Sequence, residues 1–257
     1  MNAHEATLRQ KKILENVRKN KQVRVNDLAS QFDVSKVTIR SDLDYLATQG
    51  LVQRTHGGAM LGGAMRRESP LEITSRENEA VKRRIGAFAA SLVKDGDTII
   101  IDVGSTTTEL ARALSASLQD VVVITNALNI ALLLEDHPGV TVIVTGGTLR
   151  ALQHSLVDPF ASRLFEDINV DKAFLGCNGV DAERGFSNAN LHEAEVKRAM
   201  VRAASRVSFL ADHSKLGVRS TARIADVTVA ERLITDSAAS EEALSALQTV
   251  GLHIDIV

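Results

Sequence analysis

From residue 79 onward the chain alternates two hydrophobic periodicities, and this alternation restricts the possible folds more than any single motif does. Short runs of β-branched and aliphatic residues fall at 98–102, 121–124, 140–144, 172–175, 207–211, 232–235 and 252–256. Amphipathic stretches at 79–92, 107–117, 126–135, 159–166, 192–204 and 241–250 read as helices, with apolar residues three and four apart. Strand, helix and next strand at these lengths return the chain to one sheet in parallel. The pattern predicts an α/β domain, Rossmann-like and mostly parallel, with helices on both faces.

Ligands of such sheets bind beyond the carboxyl ends of the strands, so the residues following each strand matter most. The first strand runs into Asp102-Val103-Gly104-Ser105-Thr106-Thr107-Thr108, the second into Thr125-Asn126 and the third into Thr145-Gly146-Gly147. Glycines let a ligand approach the backbone, hydroxyls and N–H groups donate to oxygens, and a helix N-terminus presents its positive end. Together they suit a phosphate without a loop lysine. The candidate effector residues are therefore Gly104, Ser105, Thr106, Thr107, Thr125, Asn126, Gly146 and Gly147, with Asp102 as an acceptor for a sugar hydroxyl. A lone Gly-Ser-Thr-Thr caps helices in many settings, whereas three such loops after successive strands are more specific. Asp212 and Lys215, in Asp212-His213-Ser214-Lys215, also follow a strand and are placed to hold ligand oxygens. Lys82 either reaches the same phosphate or lies on a solvated helix face. For Asn188, His192 and Glu193, helix capping and ligand contact are both open. The loops match neither the Walker A pattern nor the Gly-x-Gly-x-x-Gly fingerprint, so nucleotides are disfavoured and no cofactor is expected.

The first sixty residues follow a different plan. A helix is read over 5–19, and Val23 and Val25 form a short β-branched pair before Asn26, the expected N-cap of a helix over 27–32. After a tight turn at Asp33-Val34, Ser35 caps a third helix with Ile39, Leu43 and Leu46 as its buried stripe. Two short helices around such a turn, the second opening Ser-x-x-Thr, match a helix-turn-helix whose second helix enters the major groove. Its outer face offers Ser35, Lys36, Val37, Thr38, Arg40 and Ser41 to DNA, with Arg40 alternatively paired to Asp44. Residues 51–59, turning on Gly57 and Gly58, read as a β-wing with Arg54 and His56 near its tip. His56 has no ligand partner at metal spacing, so no metal is assigned.

Charge supports this division. Residues 1–67 carry 12 Lys and Arg against 6 Asp and Glu, while 68–257 carry 18 against 26, so the basic surplus lies where DNA contact is predicted. Apolar runs are too short to cross a membrane and no signal sequence is evident, so a cytoplasmic protein is expected. The single cysteine, Cys177, rules out an internal disulfide and reads as a small core residue.

The run Val34-Ser35-Lys36-Val37-Thr38-Ile39-Arg40-Ser41-Asp42-Leu43, followed by Arg54-Thr55-His56-Gly57-Gly58-Ala59, resembles the N-terminal signature of the DeoR family of sugar-metabolism regulators. Asp102-Val103-Gly104-Ser105-Thr106-Thr107, Thr145-Gly146-Gly147, Glu195-Val196-Lys197 and Asp212-His213-Ser214-Lys215 resemble its sensor domain, in the expected order. The resemblance implies a winged helix-turn-helix at 1–60, a linker at 61–77 and an effector-binding and oligomerisation domain at 78–257, similar to ribose-5-phosphate isomerase. It also implies a repressor of a carbohydrate catabolic operon, bound to double-stranded operator DNA as a homodimer or homotetramer and released by a phosphorylated sugar. An aldose–ketose isomerase using Asp102, Asp212 or Lys215 as base is the competing reading, and the attached DNA reader argues against an enzyme. Two positions depart from the family pattern. Ser41 stands where a second arginine is common, and Asp158 stands where relatives usually have glycine, adding a carboxylate that either repels a phosphate or binds a hydroxyl.

Overall fold

A computed structural model describes the backbone of residues 3–20, 22–48, 51–55, 57–61 and 68–257. The chain divides into two compact units, a head over 1–69 and a body over 70–257.

The head contains α1 (Ala3–Asn20), β1 (Gln22–Arg24), α2 (Val25–Phe32), α3 (Lys36–Thr48), β2 (Val52–Thr55) and β3 (Gly58–Leu61). Ile13 and Val17 of α1, Leu28 of α2 and the α3 stripe Ile39, Leu43 and Leu46 close one core over Val23, Val52 and Ala59 of the strands. The strands form an antiparallel sheet with β3 in the centre. Gly58 lies so close to the Val23 carbonyl that a Cβ there would collide with it, so the wing closes only with glycine at this position. Buried Arg9 of α1 holds Asp42 of α3 at 2.5 Å, and Gln10 donates to the same carboxylate at 2.9 Å, tying α3 to α1.

The expected cap at Asn26 is corrected. Helix α2 begins at Val25 with Arg24 in the cap position and no side-chain cap, because the Val25 N–H is satisfied by the Gly57 carbonyl at 2.9 Å. At α3 the Ser35 Oγ accepts the Thr38 N–H at 3.1 Å, as the sequence predicts. Ser35→Ala should accordingly lower the head's stability by about 1 kcal/mol in denaturant unfolding.

The body contains α4 (Leu71–Arg76), α5 (Glu79–Ser91), β4 (Thr98–Ile101), α6 (Ser105–Ala113), β5 (Val121–Thr125), α7 (Leu128–Leu134) and β6 (Val140–Val144). These are followed by β7 (Thr148–Arg150), β8 (Ser155–Val157), α8 (Phe160–Arg163), β9 (Val170–Gly176), β10 (Gly179–Asp181) and β11 (Gly185–Asn188). The chain ends with α9 (Leu191–Ala203), β12 (Ala204–Leu210), β13 (Ala222–Ala225), β14 (Arg232–Thr235), α10 (Glu241–Thr249) and β15 (His253–Ile256). Seven strands form one parallel sheet in the order β15-β14-β12-β9-β4-β5-β6. Alternate residues face opposite ways, as the two-residue period of a strand requires. Ile100, Ala173, Leu175 and Phe209 pack against Val196, Ala199 and Met200 of α9, while Ile99, Ile101 and Phe174 meet Ile85 and Ala89 of α5 and Leu110 of α6.

Two small antiparallel pieces were not anticipated, the hairpin β7-β8 and the sheet β10-β11-β13. Of the segment read as a linker, residues 71–76 form α4, tied to the body where Leu71 N–H donates to the Leu152 carbonyl at 3.0 Å. Among the described residues no helix is long and apolar enough to cross a membrane.

Candidate effector crevice and DNA-facing helix

The chain leaves β4, builds β5 and β6 on one side, then crosses to place β9 on the other, so strand order reverses between β4 and β9. Such a switch point opens a crevice at the strands' carboxyl ends, where parallel sheets take ligands. Asp102 ends β4 in that position with no solvent exposure. Its Oδ2 accepts the Gly176 N–H from the end of β9 at 3.1 Å and the Lys197 ammonium from α9, which also donates to the Gly176 carbonyl at 3.1 Å. Its Oδ1 is buried with no hydrogen-bond partner. Burial outweighs the Lys197 charge and the Gly176 bond, and pushes the Asp102 carboxyl up to about 6.

Beside this pair lies a second charged group. Asp212, 1% exposed, accepts from Ser214 N–H and Asn78 Nδ2, each at 3.0 Å. Lys215, the Ser214 bonds and Lys82 hold its carboxyl below the usual range despite burial. Lys82 is not on a solvated face: it is buried, its ammonium donates to the Thr74 carbonyl at 2.5 Å, and burial lowers its pKa against the pull of Asp212. Cys177 is buried within the fields of Lys197, Lys215 and Asp212, and burial pushes its thiol up to about 12.

The polar loops are knitted to this centre. Asn126 Oδ1 accepts the Val103 N–H at 3.0 Å, and the Asn126 carbonyl accepts the Leu156 N–H at 2.7 Å, linking the loops after β4 and β5 to β8. Thr125 Oγ1 accepts the Ala127 N–H at 3.1 Å, and Thr107 Oγ1 donates back to the Gly104 carbonyl at 3.0 Å. Thr107, Thr125 and Asn126 are therefore fully buried and brace the loops, with their polar side-chain atoms turned to backbone. Gly104 precedes α6, whose first N–H groups, at Ser105, Thr106 and Thr107, have no helical acceptor by geometry. Gly146 and Gly147 both have positive φ, and a Cβ on Gly147 would strike the Val157 carbonyl, so the loop after β6 lies directly beneath β8.

Around α9, the cap is Asn190, whose Oδ1 accepts from His192 and Glu193 N–H at 3.0 and 3.1 Å. Asn188 instead donates to the buried Glu193 carboxylate at 3.2 Å, which also takes Ser155 Oγ at 2.6 Å and the Arg150 guanidinium. His192 Nδ1 meets Asp158 Oδ1 at 2.7 Å. Asp158 has φ 58°, a left-handed conformation that glycine adopts without strain.

Sequence reading placed Lys197 in a family motif without giving it a role in the site, and it did not single out Glu193's partner Arg150 or Asn78. The signal for Lys197 was present: Glu193, Val196, Lys197 and Met200 form an i, i+3, i+4, i+7 stripe, and all four are buried.

In the head, α3 presents Lys36, Val37, Arg40, Ser41 and Asp44 outward, with Ser35 exposed at the cap, Thr38 half-buried, and Val37 71% exposed. A cationic face with a bare aliphatic group can contact phosphates, guanine edges and a thymine methyl. His56 and the Arg54 side chain, predicted on the wing, and the helix end at Gly50 lie outside the described residues.

Family models match both units, the DeoR-like helix-turn-helix domain over residues 9–62 and the DeoR C-terminal sensor domain over 77–237. The chain is 34% identical over 251 residues to a putative aga operon transcriptional repressor of Escherichia coli O157:H7, covering 97% of this chain and 93% of the relative. It is 29% identical to the glycerol-3-phosphate regulon repressor of Escherichia coli K12, covering 90% of this chain and 91% of the relative. Among solved structures, ribose 5-phosphate isomerase A of Methanocaldococcus jannaschii is similar at 20% identity and TM-score 0.40, over 54% of this chain and 55% of that one.

Proposed function

This chain belongs to the DeoR family of transcriptional regulators, and from that premise we propose that it represses a carbohydrate catabolic operon and is released by a phosphorylated sugar. The observation that carries the effector reading is the buried, unpartnered Oδ1 of Asp102 at the sheet's switch point, with Lys82, Lys197 and Lys215 around the same crevice. A sugar hydroxyl supplies the donor that Oδ1 lacks. The phosphate sits over Gly104, Ser105 and Thr106, against the N–H groups of α6 and within reach of the lysines' charge. Asp212, Gly146 and Gly147 line the same rim, and Thr107, Thr125 and Asn126 act through the backbone they brace.

Release follows from how the crevice holds α4, the first helix after the head. Lys82 fastens it through Thr74, and Asn78 fastens the following turn to Asp212. A phosphate that draws the Lys82 ammonium into the crevice takes it from Thr74, so ligand binding and fastening of α4 compete. An effector shifts operator binding only through such a differential interaction. The head reads DNA through Ser35, Lys36, Val37, Thr38, Arg40 and Ser41, with Arg54 and His56 on the wing.

A thermal-shift screen of sugar phosphates tests the effector reading, since a ligand of the folded state raises its stability by mass action. Ser105→Ala with Thr106→Ala should abolish the shift of whichever compound scores, and an undiminished shift would place the phosphate elsewhere. Arg40→Ala should weaken operator binding by about 1–3 kcal/mol in a mobility-shift assay, with the sensor response intact. We read the chain as a regulator and not an enzyme, in keeping with the regulators among its relatives, and turnover of pentose or hexose phosphates that Asp102→Asn abolishes would reverse that reading.

A further inference from the structure

Between Asp212 and Lys215 the chain carries a histidine that is held on one side of its ring. His213 donates its backbone N–H to Asp236 Oδ1 at 2.7 Å, and its Nδ1 meets Asp236 Oδ2 at 2.9 Å. Asp236 is 1% exposed and also accepts the Ala238 N–H at 3.2 Å. A carboxylate offers only acceptors, so Nδ1 carries the proton of this bond. Nε2 is then the ring atom turned away from Asp236. It has no hydrogen-bond partner among the described residues, and the side chain is 32% exposed. In the contacts of His192 with Asp158 and of His253 with Asp255, water reaches the carboxylate. At His213 the carboxylate is sealed and the imidazole is outside, an arrangement that fixes the tautomer and presents the second nitrogen.

Sheet order relates this nitrogen to the crevice. Asp102, Asp212 and Asp236 follow β4, β12 and β14, and β9 lies between β4 and β12. Neighbouring strands are about 4.8 Å apart, so the ends of β4 and β12 are separated by about 10 Å. His213 stands at the second of these ends, next to Asp212, which lies within the fields of Lys82 and Lys215.

We propose that His213 reads the effector: its Nε2 takes a sugar hydroxyl remote from the phosphate, and Asp236 is the positioning residue that fixes the ring. The inference rests on the effector reading and adds a length to it. With the phosphate over Gly104, Ser105 and Thr106 and a hydroxyl at His213, the ligand spans about 10 Å. Sugar phosphates of five or six carbons have that reach, and three-carbon phosphates do not. A neutral imidazole with Nδ1 protonated accepts at Nε2, so the group it recognises is a donor, which a hydroxyl is and a phosphate dianion is not.

His213→Asn separates anchoring from reading. It places an amide N–H where Nδ1 stands and nothing where Nε2 stands, so the bond to Asp236 survives and the reading atom is lost. Titration calorimetry of the full chain with ribose 5-phosphate, glucose 6-phosphate, fructose 6-phosphate and glucosamine 6-phosphate should find a binder among them, with glycerol 3-phosphate and inorganic phosphate weaker. His213→Asn should weaken that binder roughly 3- to 10-fold, the weight of one hydrogen bond, with an unchanged melting temperature in the absence of ligand. In wild-type protein with nitrogen-15-labelled histidine, at a pH where the ring is neutral, the binder should move the Nε2 resonance while Nδ1 stays protonated. Asp236→Asn should transfer the ring proton to Nε2 in the same spectra and weaken the binder as His213→Asn does. Full affinity in His213→Asn, or an Nε2 resonance that the binder does not move, would overturn the role of His213 and leave the crevice as the effector site. Equal affinity for glycerol 3-phosphate would overturn the length. Binding of none of these compounds would remove the effector reading itself, and this inference with it.

Discussion

Lys197→Met should destabilise the body by about 3–5 kcal/mol at pH 7, the loss typical when one partner of a buried ion pair is removed. Methionine fills much of the lysine's volume, so the loss is electrostatic. The Asp102 carboxylate is left in the crevice with the Gly176 N–H as its remaining donor, and its Oδ1 is already unpartnered. The pH dependence identifies the cause. With Lys197 present the folded-state pKa of Asp102 is about 6, raised from 3.8, so the folded body binds the proton more tightly than the unfolded chain. Such a group lowers stability as pH rises from the unfolded toward the folded value. Without the lysine the pKa rises further, so the deficit of the variant should grow between pH 5 and pH 7. Denaturant unfolding of the full chain at the two pH values, followed by far-ultraviolet circular dichroism, checks this. Adding Asp102→Leu should recover most of the loss, because a pair replaced by apolar groups leaves no orphaned charge. An equal deficit at both pH values would mean that Lys197 acts through packing.

The body's architecture was legible because strand and helix signals alternated over whole elements, and six helices and seven sheet strands fall where their periodicities placed them. What escaped notice was short or depended on distant partners. The strands β7, β8 and β10 have three residues each, too few to establish a period of two. Asn26 looked like a cap because its side chain suits one, but the wing reaches the first free donor of α2 before any side chain is needed. Within the site, the loops were found through their glycines and hydroxyls, yet Thr107, Thr125 and Asn126 turned out to brace backbone, a distinction that side-chain chemistry alone does not make. The departure read at Asp158 falls on left-handed backbone, and its carboxylate is engaged by His192.

Lys82→Met should uncouple operator affinity from effector, removing a linkage of about 1–3 kcal/mol, roughly a 5- to 150-fold shift. The argument rests on the limited set of partners that a buried ammonium accepts. Lys82 is 3% exposed, Thr74 is its hydrogen-bond acceptor, and Asp212 stabilises its charge. An anion in the crevice therefore competes with the Thr74 carbonyl for one group, and methionine removes that competition while keeping the aliphatic stem. Hydrogen exchange at 71–76 in ligand-free protein should accelerate, since the last turn of α4 has lost its fastening. Asn78 offers an independent variant. Its φ of 52° costs an L-residue about 1 kcal/mol, and its side chain holds Asp212 at 3.0 Å. In Asn78→Gly the relief of strain offsets the lost hydrogen bond, so stability should barely change while the effector response falls. Asn78→Ala keeps the strain and loses the bond, so both should fall. If Lys82→Met retained the full effector response with α4 still protected, the signal would leave the crevice by a route other than α4.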